Sequence, residues 1–290
     1  MSDNEQSPKR AWVSWVLWIL AVVIMFLAAD FQERTGPTKE FKGSFFFSGN
    51  EHPFELVRSG STDADAPVTL PDPGNGLTGQ VIFKRYPTDD PFRPIPMESV
   101  AGELQGLLPA QPAAGKLEYY VVLDSPEGTI RIPEEDTLII RFKDPVPIGV
   151  LVPHIICMFI GLLVGVRTAL GAAFHPLGLR KLAWTTLGFM TVGGMILGPI
   201  VQKYAFGAFW TGWPFGYDLT DNKTLIMWIV WVGVALIFTK RPSPRDWLPR
   251  GAILVAAVVM MVVYLIPHSL RGSELDYSEL EETVSDQSPT

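Results

Sequence analysis

The chain has 290 residues, 48% of them hydrophobic and only 18% charged, with a mean hydropathy of +0.23. It is too apolar for one water-soluble globule, and its 17 Phe and 9 Trp exclude a disordered chain. A net charge of −7 lacks the basic footprint of a nucleic-acid binder, and a single cysteine excludes an internal disulfide framework or a CxxC metal or redox site.

In chain order, residues 1–10 form a short polar start ending in Lys9 and Arg10, and residues 11–29 form the first uncharged run. A run of that length crosses about 30 Å of hydrocarbon at 1.5 Å per residue. It exceeds the ~7–15-residue core of a signal peptide, and Leu27 stands where cleavage wants a small residue, so it reads as an uncleaved anchor. Trp12, Trp15 and Trp18 suit an interfacial belt.

Residues 30–147 contain no tryptophan and alternate turn clusters with short β-rich runs. Eight strands are expected, over 41–47, 53–58, 67–70, 79–86, 98–104, 116–124, 129–132 and 137–143. In KLEYYVVLDSPEGTIRIP, Leu117, Tyr119, Val121 and Leu123 share one face by period two, and Ser125-Pro126-Glu127-Gly128 makes the turn. This stretch resembles the late strands of immunoglobulin-like and fibronectin-III-like domains, which implies an all-β sandwich fold and no particular activity. Gly74-Asn75-Gly76-Leu77-Thr78-Gly79 matches GxGxxG, but prolines precede it and a β-like run follows, so it reads as a glycine-rich hairpin turn. Glu51, His52 and Glu55 are no more than a chance metal set. Pro145-Val146-Pro147 leads into the next apolar run without a linker, which places the domain against the membrane.

Residues 148–270 hold four more spans, at 148–166, 182–201, 224–238 and 251–267. The expected architecture is therefore a five-helix transmembrane bundle with an inserted extracytoplasmic sandwich. The segments before span one, between spans two and three, and between spans four and five carry nine Lys and Arg against three Asp and Glu. Residues 30–147 sum to −8 and the tail 271–290 to −5. By the positive-inside rule the amino terminus is cytoplasmic and the carboxyl terminus periplasmic, in a bacterial inner membrane. Cys157 reads as a small apolar residue in mid-span. Gly161/Gly165 and Gly194/Gly198 are small-xxx-small pairs for helix packing, with the glycine-rich third span central. The acidic tail reads as disordered.

The least ordinary stretch is the outer loop 202–223, QKYAFGAFWTGWPFGYDLTDNK. Its aromatics Tyr204, Phe206, Phe209, Trp210, Trp213, Phe215 and Tyr217 suit either an interfacial belt or a binding surface for a flat apolar ligand or partner helix. Asn222-Lys223-Thr224 is a sequon, although Asn222 or Asp221 reads better as the cap of the fourth span. His154, about 9 Å inside the second span, and His268, at the end of the fifth, lie in the same leaflet; His175 lies at the other face. The loop with these two histidines resembles the haem-handling family of cytochrome c assembly proteins. The resemblance implies Trp210, Trp213 and Asp218 as loop elements and His154 and His268 as axial ligands. It departs from the family in its loose Trp213-to-Asp218 spacing, its low span count and its β insert.

No P-loop, HExxH, GxSxG or acidic dyad within a span supports a hydrolase or ATPase. The expectation is a non-enzymatic envelope protein for assembly, scaffolding or partner binding, its partners being the bilayer and other membrane or periplasmic proteins. No cofactor is expected on that reading. A haem-handling or redox-accessory protein is the alternative, and a transporter or channel component the third reading.

Overall fold

The computed structural model describes residues 8–36, 38–240, 242–243, 246–266 and 275–278, with the backbone alone for 8–10. The chain divides into two units. One joins Met1–Gly36, Val146–Tyr204 and Ala208–Gly272; the other joins Pro37–Pro145, Ala205–Gly207 and Ser273–Thr290.

The first unit is helical, and five of its helical stretches are long and apolar enough to cross a membrane. They are α1 (Pro8–Thr35), α2 (Ile148–Phe174), the continuous stretch Leu179–Phe206, α5 (Leu219–Thr239) and α6 (Trp247–Leu265). All five correspond to the expected spans. Most run further, because backbone hydrogen bonding continues a helix past the end of its apolar run. α6 is the exception at its carboxyl end. Ile266 turns to an extended ψ of 122°, as the residue before a proline must.

The third stretch is not uniform. α3 (Leu179–Met190) passes into a π-helical segment, Thr191–Leu197, and then into α4 (Gly198–Phe206). Here the Gly198 amide donates to the Gly193 carbonyl, five residues back. The bundle core joins Ala21 and Met25 of α1, Leu162 and Val166 of α2, Leu187 of α3, Trp231 of α5, and Ile253 and Met260 of α6. α2 packs against α1, α3 and α6, and α6 against α1, α2 and α5, whereas the third stretch meets chiefly α2 and α5, so α2 and α6 rather than the glycine-rich span take the central places.

Of the predicted glycines, Gly165 and Gly194 sit at close contacts, a Cβ there lying 2.7 Å from Met260 Cε and from Thr224 Cγ2 respectively, whereas Gly161 and Gly198 do not; a neighbouring glycine, Gly193, meets backbone as well. A Cβ on Gly193 would lie 2.8 Å from Cys157 Cβ and 3.2 Å from the Met158 amide nitrogen, whereas one on Gly198 meets nothing closer than 3.5 Å. The π turn rotates Gly193 onto α2, a shift that 3.6-residue spacing does not forecast.

The second unit is built of β-strands. Its largest sheet has the order β3 (Ser59–Ser61), β11 (Leu138–Lys143), β9 (Lys116–Ser125), β5 (Thr78–Tyr86) and β6 (Arg93–Pro96). β10 (Gly128–Ile132) also pairs with β9. It lies along Val121–Ser125 while β11 lies along Lys116–Tyr119, so the two make one strand path interrupted after Ile132. A second sheet runs β4 (Ala66–Pro71), β8 (Glu103–Leu108), β7 (Glu98–Val100). β1 (Phe41–Phe47) and β2 (Asn50–Leu56) form a hairpin. One core is shared by all three. Leu117, Tyr119, Val121 and Leu123 of β9 are fully buried with Val68 of β4, Leu108 of β8 and Leu56 of β2. The period-two reading of β9 and the turn at Ser125–Gly128 are therefore both met. The Tyr119 hydroxyl, whose ionisation burial disfavours, donates to the Val57 carbonyl at 2.7 Å.

Two expectations are corrected in this unit. The strand expected over 98–104 is two strands, because Ala101 and Gly102 adopt positive φ and turn the chain back. The Gly74–Gly76 turn, with φ of 77°, 57° and 80°, links β4 to β5, which lie in different sheets, so it is a crossover rather than a hairpin. In β2, His52 points with Phe54 and Leu56 and stacks on Phe45 at 5.3 Å. Glu51 and Glu55 point the other way and are taken by Ser44 and Lys42. Strand alternation thus separates the three candidate ligands.

Candidate functional site

The strongest candidate is the loop between α4 and α5. α4 ends at Phe206, and Gly207 takes a φ of +82°, the left-handed geometry that closes many helices. The predicted loop is therefore shorter than 202–223: helices claim both of its ends.

Asp218 caps α5. Its Oδ1 accepts from the amides of Thr220 at 2.7 Å and Asp221 at 3.4 Å. The cap lies one turn before the expected Asn222 or Asp221, which frees those two side chains for the loop. Asp221 Oδ2 accepts from the amides of Thr211 at 2.6 Å and Gly212 at 3.0 Å. Asn222 Oδ1 accepts from the Trp213 amide at 2.7 Å. The Asp218 amide donates to the Thr211 carbonyl, and Gln202 Nε2 donates to Thr211 Oγ1 at 2.6 Å. Lys223, also buried, donates to the Ile266 carbonyl at 3.0 Å.

Two glycines permit this closeness. A Cβ on Gly212 would lie 2.6 Å from Asp221 Cβ, and one on Gly216 would lie 2.4 Å from the Thr211 carbonyl oxygen. Asp218 and Asp221 are buried, so polar side chains hold the inner face of the loop.

The outer face is the reverse. Phe209, Trp213, Phe215 and Tyr217 are 58%, 66%, 84% and 90% exposed. Trp210 is half-buried and donates its indole N–H to the Trp213 carbonyl at 3.0 Å. A stiff backbone thus carries outward aromatic rings. The two aspartates are the part of the site that a motif search passes over. Their signal is Asp-x-x-Asp at the start of an apolar span, where one carboxylate caps and the next, a turn later, faces the incoming loop.

The residues of the haem expectation take these places. Asp218 is committed to the α5 cap and Trp210 to the loop backbone. His154 is half-buried, and its Nδ1 lies 2.9 Å from the Gly193 carbonyl in the π segment. A carbonyl only accepts, so Nδ1 carries the proton and Nε2 holds the lone pair. Among the described residues, Nε2 has no partner. His268 lies outside the described residues. His175 ends α2 at the far end of that helix.

A second unusual group is Arg167. Its position just after the apolar run 148–166 predicts a loop charge, but α2 continues to Phe174 and encloses it. Arg167 is 3% exposed; its Nη2 donates to Ser14 Oγ at 3.1 Å and its guanidinium lies 5.4 Å from the Trp18 ring. Nε and Nη1 are buried without a partner among the described residues. A buried donor left unpaired costs about 1–3 kcal/mol. Arg167→Leu is accordingly expected to leave the thermal midpoint in detergent unchanged or higher. A drop of several degrees would show that the charge has a counterpart. Arg250 of α6, by contrast, is paired: it donates to the carbonyls of Ala172 at 2.6 Å and Ala173 at 3.2 Å and caps α2.

Compared with family models, curated proteins and solved structures, the chain matches none.

Proposed function

We propose that this is a non-enzymatic, multi-pass protein of a bacterial inner membrane, and that it binds a partner of the cell envelope through the loop between α4 and α5. The observation that carries the reading is the two-sided loop: exposed Trp213, Phe215 and Tyr217 on a backbone clamped by buried Asp218 and Asp221. An aromatic belt that only anchors spans needs amphipathic rings at the interface, not a polar clamp beneath them. A recognition surface gains from stiffness, because less freedom is lost on binding.

The basic flanks of the spans support an orientation with the amino terminus in the cytoplasm. Five crossings then bring the β unit and the segment after α6 to the periplasmic side. The docking of Tyr277, from that segment, into the β unit supports this parity. For the β unit we propose an immunoglobulin-like sandwich. The orders β4-β8-β7 and β11-β9-β5, with one core between them, support the arrangement of strands B, E, D and G, F, C.

Photo-crosslinking residues placed at positions 213, 215 and 217 in intact cells test the binding reading. The expected result is one common protein adduct from the three positions, lost when Asp221→Ala releases the loop. Lipid adducts alone would overturn it. A second reading, haem handling, is favoured by one observation, the lone pair of His154 Nε2 set by the Nδ1 bond to Gly193. A Soret band on adding haemin to the purified protein, lost in His154→Ala, would support it; no band would end it.

A further inference from the structure

The acidic tail contributes an ordered contact to the β unit. Leu275, Asp276, Tyr277 and Ser278 lie beside Pro87 and Thr88 at a cleft of about 510 Å³. Tyr277 is 6% exposed. Its hydroxyl accepts from the Lys116 amide at 3.0 Å and has two acceptors within reach for its own proton, the Lys116 carbonyl at 3.0 Å and Gln111 Oε1 at 3.1 Å. Burial pushes the phenol above its ordinary range, so it stays protonated and can donate.

The ring is also accommodated. The Arg85 guanidinium lies 5.1 Å from its centre and is held in place by two bonds to Asp90, at 2.5 and 3.1 Å. A Cβ on Gly115 would come within 3.1 Å of the Tyr277 hydroxyl. Asp276 Oδ1 accepts from the Ser278 amide at 2.9 Å, which turns the segment so that Tyr277 points inward. The Arg85 guanidinium, paired with Asp90, gives the ring a cationic face, Lys116 contributes its backbone N–H and carbonyl, and the surrounding tail reads SELDYSELEE.

We infer that the β unit carries a tyrosine-recognition socket, formed by Arg85, Gln111, Gly115 and Lys116, for a short acidic peptide, and that its resident occupant is the chain's own segment around Tyr277. The socket is independent of the aromatic loop and of the function proposed for it. A tethered occupant acts at an effective concentration on the order of millimolar. A partner peptide of the same chemistry therefore enters only when its affinity exceeds that of the cis segment, and the tail guards the site.

The test uses full-length protein in detergent and a labelled peptide of residues 273–281, SELDYSELE. Tyr277→Ala empties the socket and is expected to bind the peptide at least tenfold more tightly than wild type does. A peptide with Phe in place of the tyrosine is expected to bind that variant at least fivefold more weakly, since it loses two hydrogen bonds of ordinary strength. Adding Gln111→Ala to Tyr277→Ala should weaken binding of the tyrosine peptide and leave that of the Phe peptide unchanged. Equal binding to wild type and Tyr277→Ala, or binding to neither, overturns the socket. A wild-type dimer that becomes monomeric in Tyr277→Ala overturns the cis occupant, because the tail would then sit in a second copy.

Discussion

Asp221→Ala is expected to destabilise the protein by about 2–5 kcal/mol and to release the loop between α4 and α5. The mutation removes one carboxylate but strands two amides, those of Thr211 and Gly212, which donate to it at 2.6 and 3.0 Å. Each buried donor left without an acceptor costs about 1–3 kcal/mol. Hydrogen exchange at Thr211, Gly212 and Trp213 should accelerate by orders of magnitude, while that in the β9 strand stays slow. Asp221→Asn keeps one carbonyl oxygen for the same amides and should lose much less. Unchanged protection in Asp221→Ala would show that the loop is held by something other than the clamp, and the proposed binding platform would lose its physical basis.

Gly193→Ala is the second large effect, about 1–3 kcal/mol from overpacking. The added Cβ meets Cys157 Cβ at 2.8 Å and the Met158 backbone nitrogen at 3.2 Å, and neither is the end of a flexible side chain. α2 and the π segment must separate, which also lengthens the bond from His154 to the Gly193 carbonyl. Gly188→Ala and Gly233→Ala are the controls. Nothing lies within 4 Å of a Cβ there, and replacing a helical glycine gains about 0.5–1 kcal/mol. Equal thermal midpoints for Gly193→Ala and these controls would contradict the close contact. Gly193→Ala should cost less in a Cys157→Gly background than in the wild type, because the nearest obstacle is then gone; the cycle separates this coupling from the cost of a glycine within α2.

The two regions differ in how much of their structure local sequence could reveal. The β9 strand was legible because Leu117, Tyr119, Val121 and Leu123 alternate along it and its turn carries Pro and Gly. β3 and β6 were not: Ser59–Ser61 has only three residues, and Arg93–Pro96 contains two prolines, which suit an edge strand with few ladder bonds. In the helical unit, the five long apolar helices announced themselves by uncharged length, whereas the π turn depends on how Gly193 fits α2. At the loop, the aromatic count marked the place. The clamp did not show, since Asp221 at the start of a span reads equally as a cap, and only the path of the chain brings Thr211 and Gly212 to it.

The tail divides in the same way. Its acidity reads as disorder; residues 279–290 lie outside the described residues, but Tyr277 is buried 161 positions from its partner Lys116. No periodicity reports a contact of that separation. From the sequence alone came the five apolar stretches, the β-rich insert and the separation of charge around them, because hydrophobic length, alternation and charge are properties of neighbouring residues. The tertiary structure alone decided which carboxylate caps and which clamps, where Arg167 and His154 point, and where Tyr277 binds. Those depend on groups far apart in the chain meeting at hydrogen-bond distance.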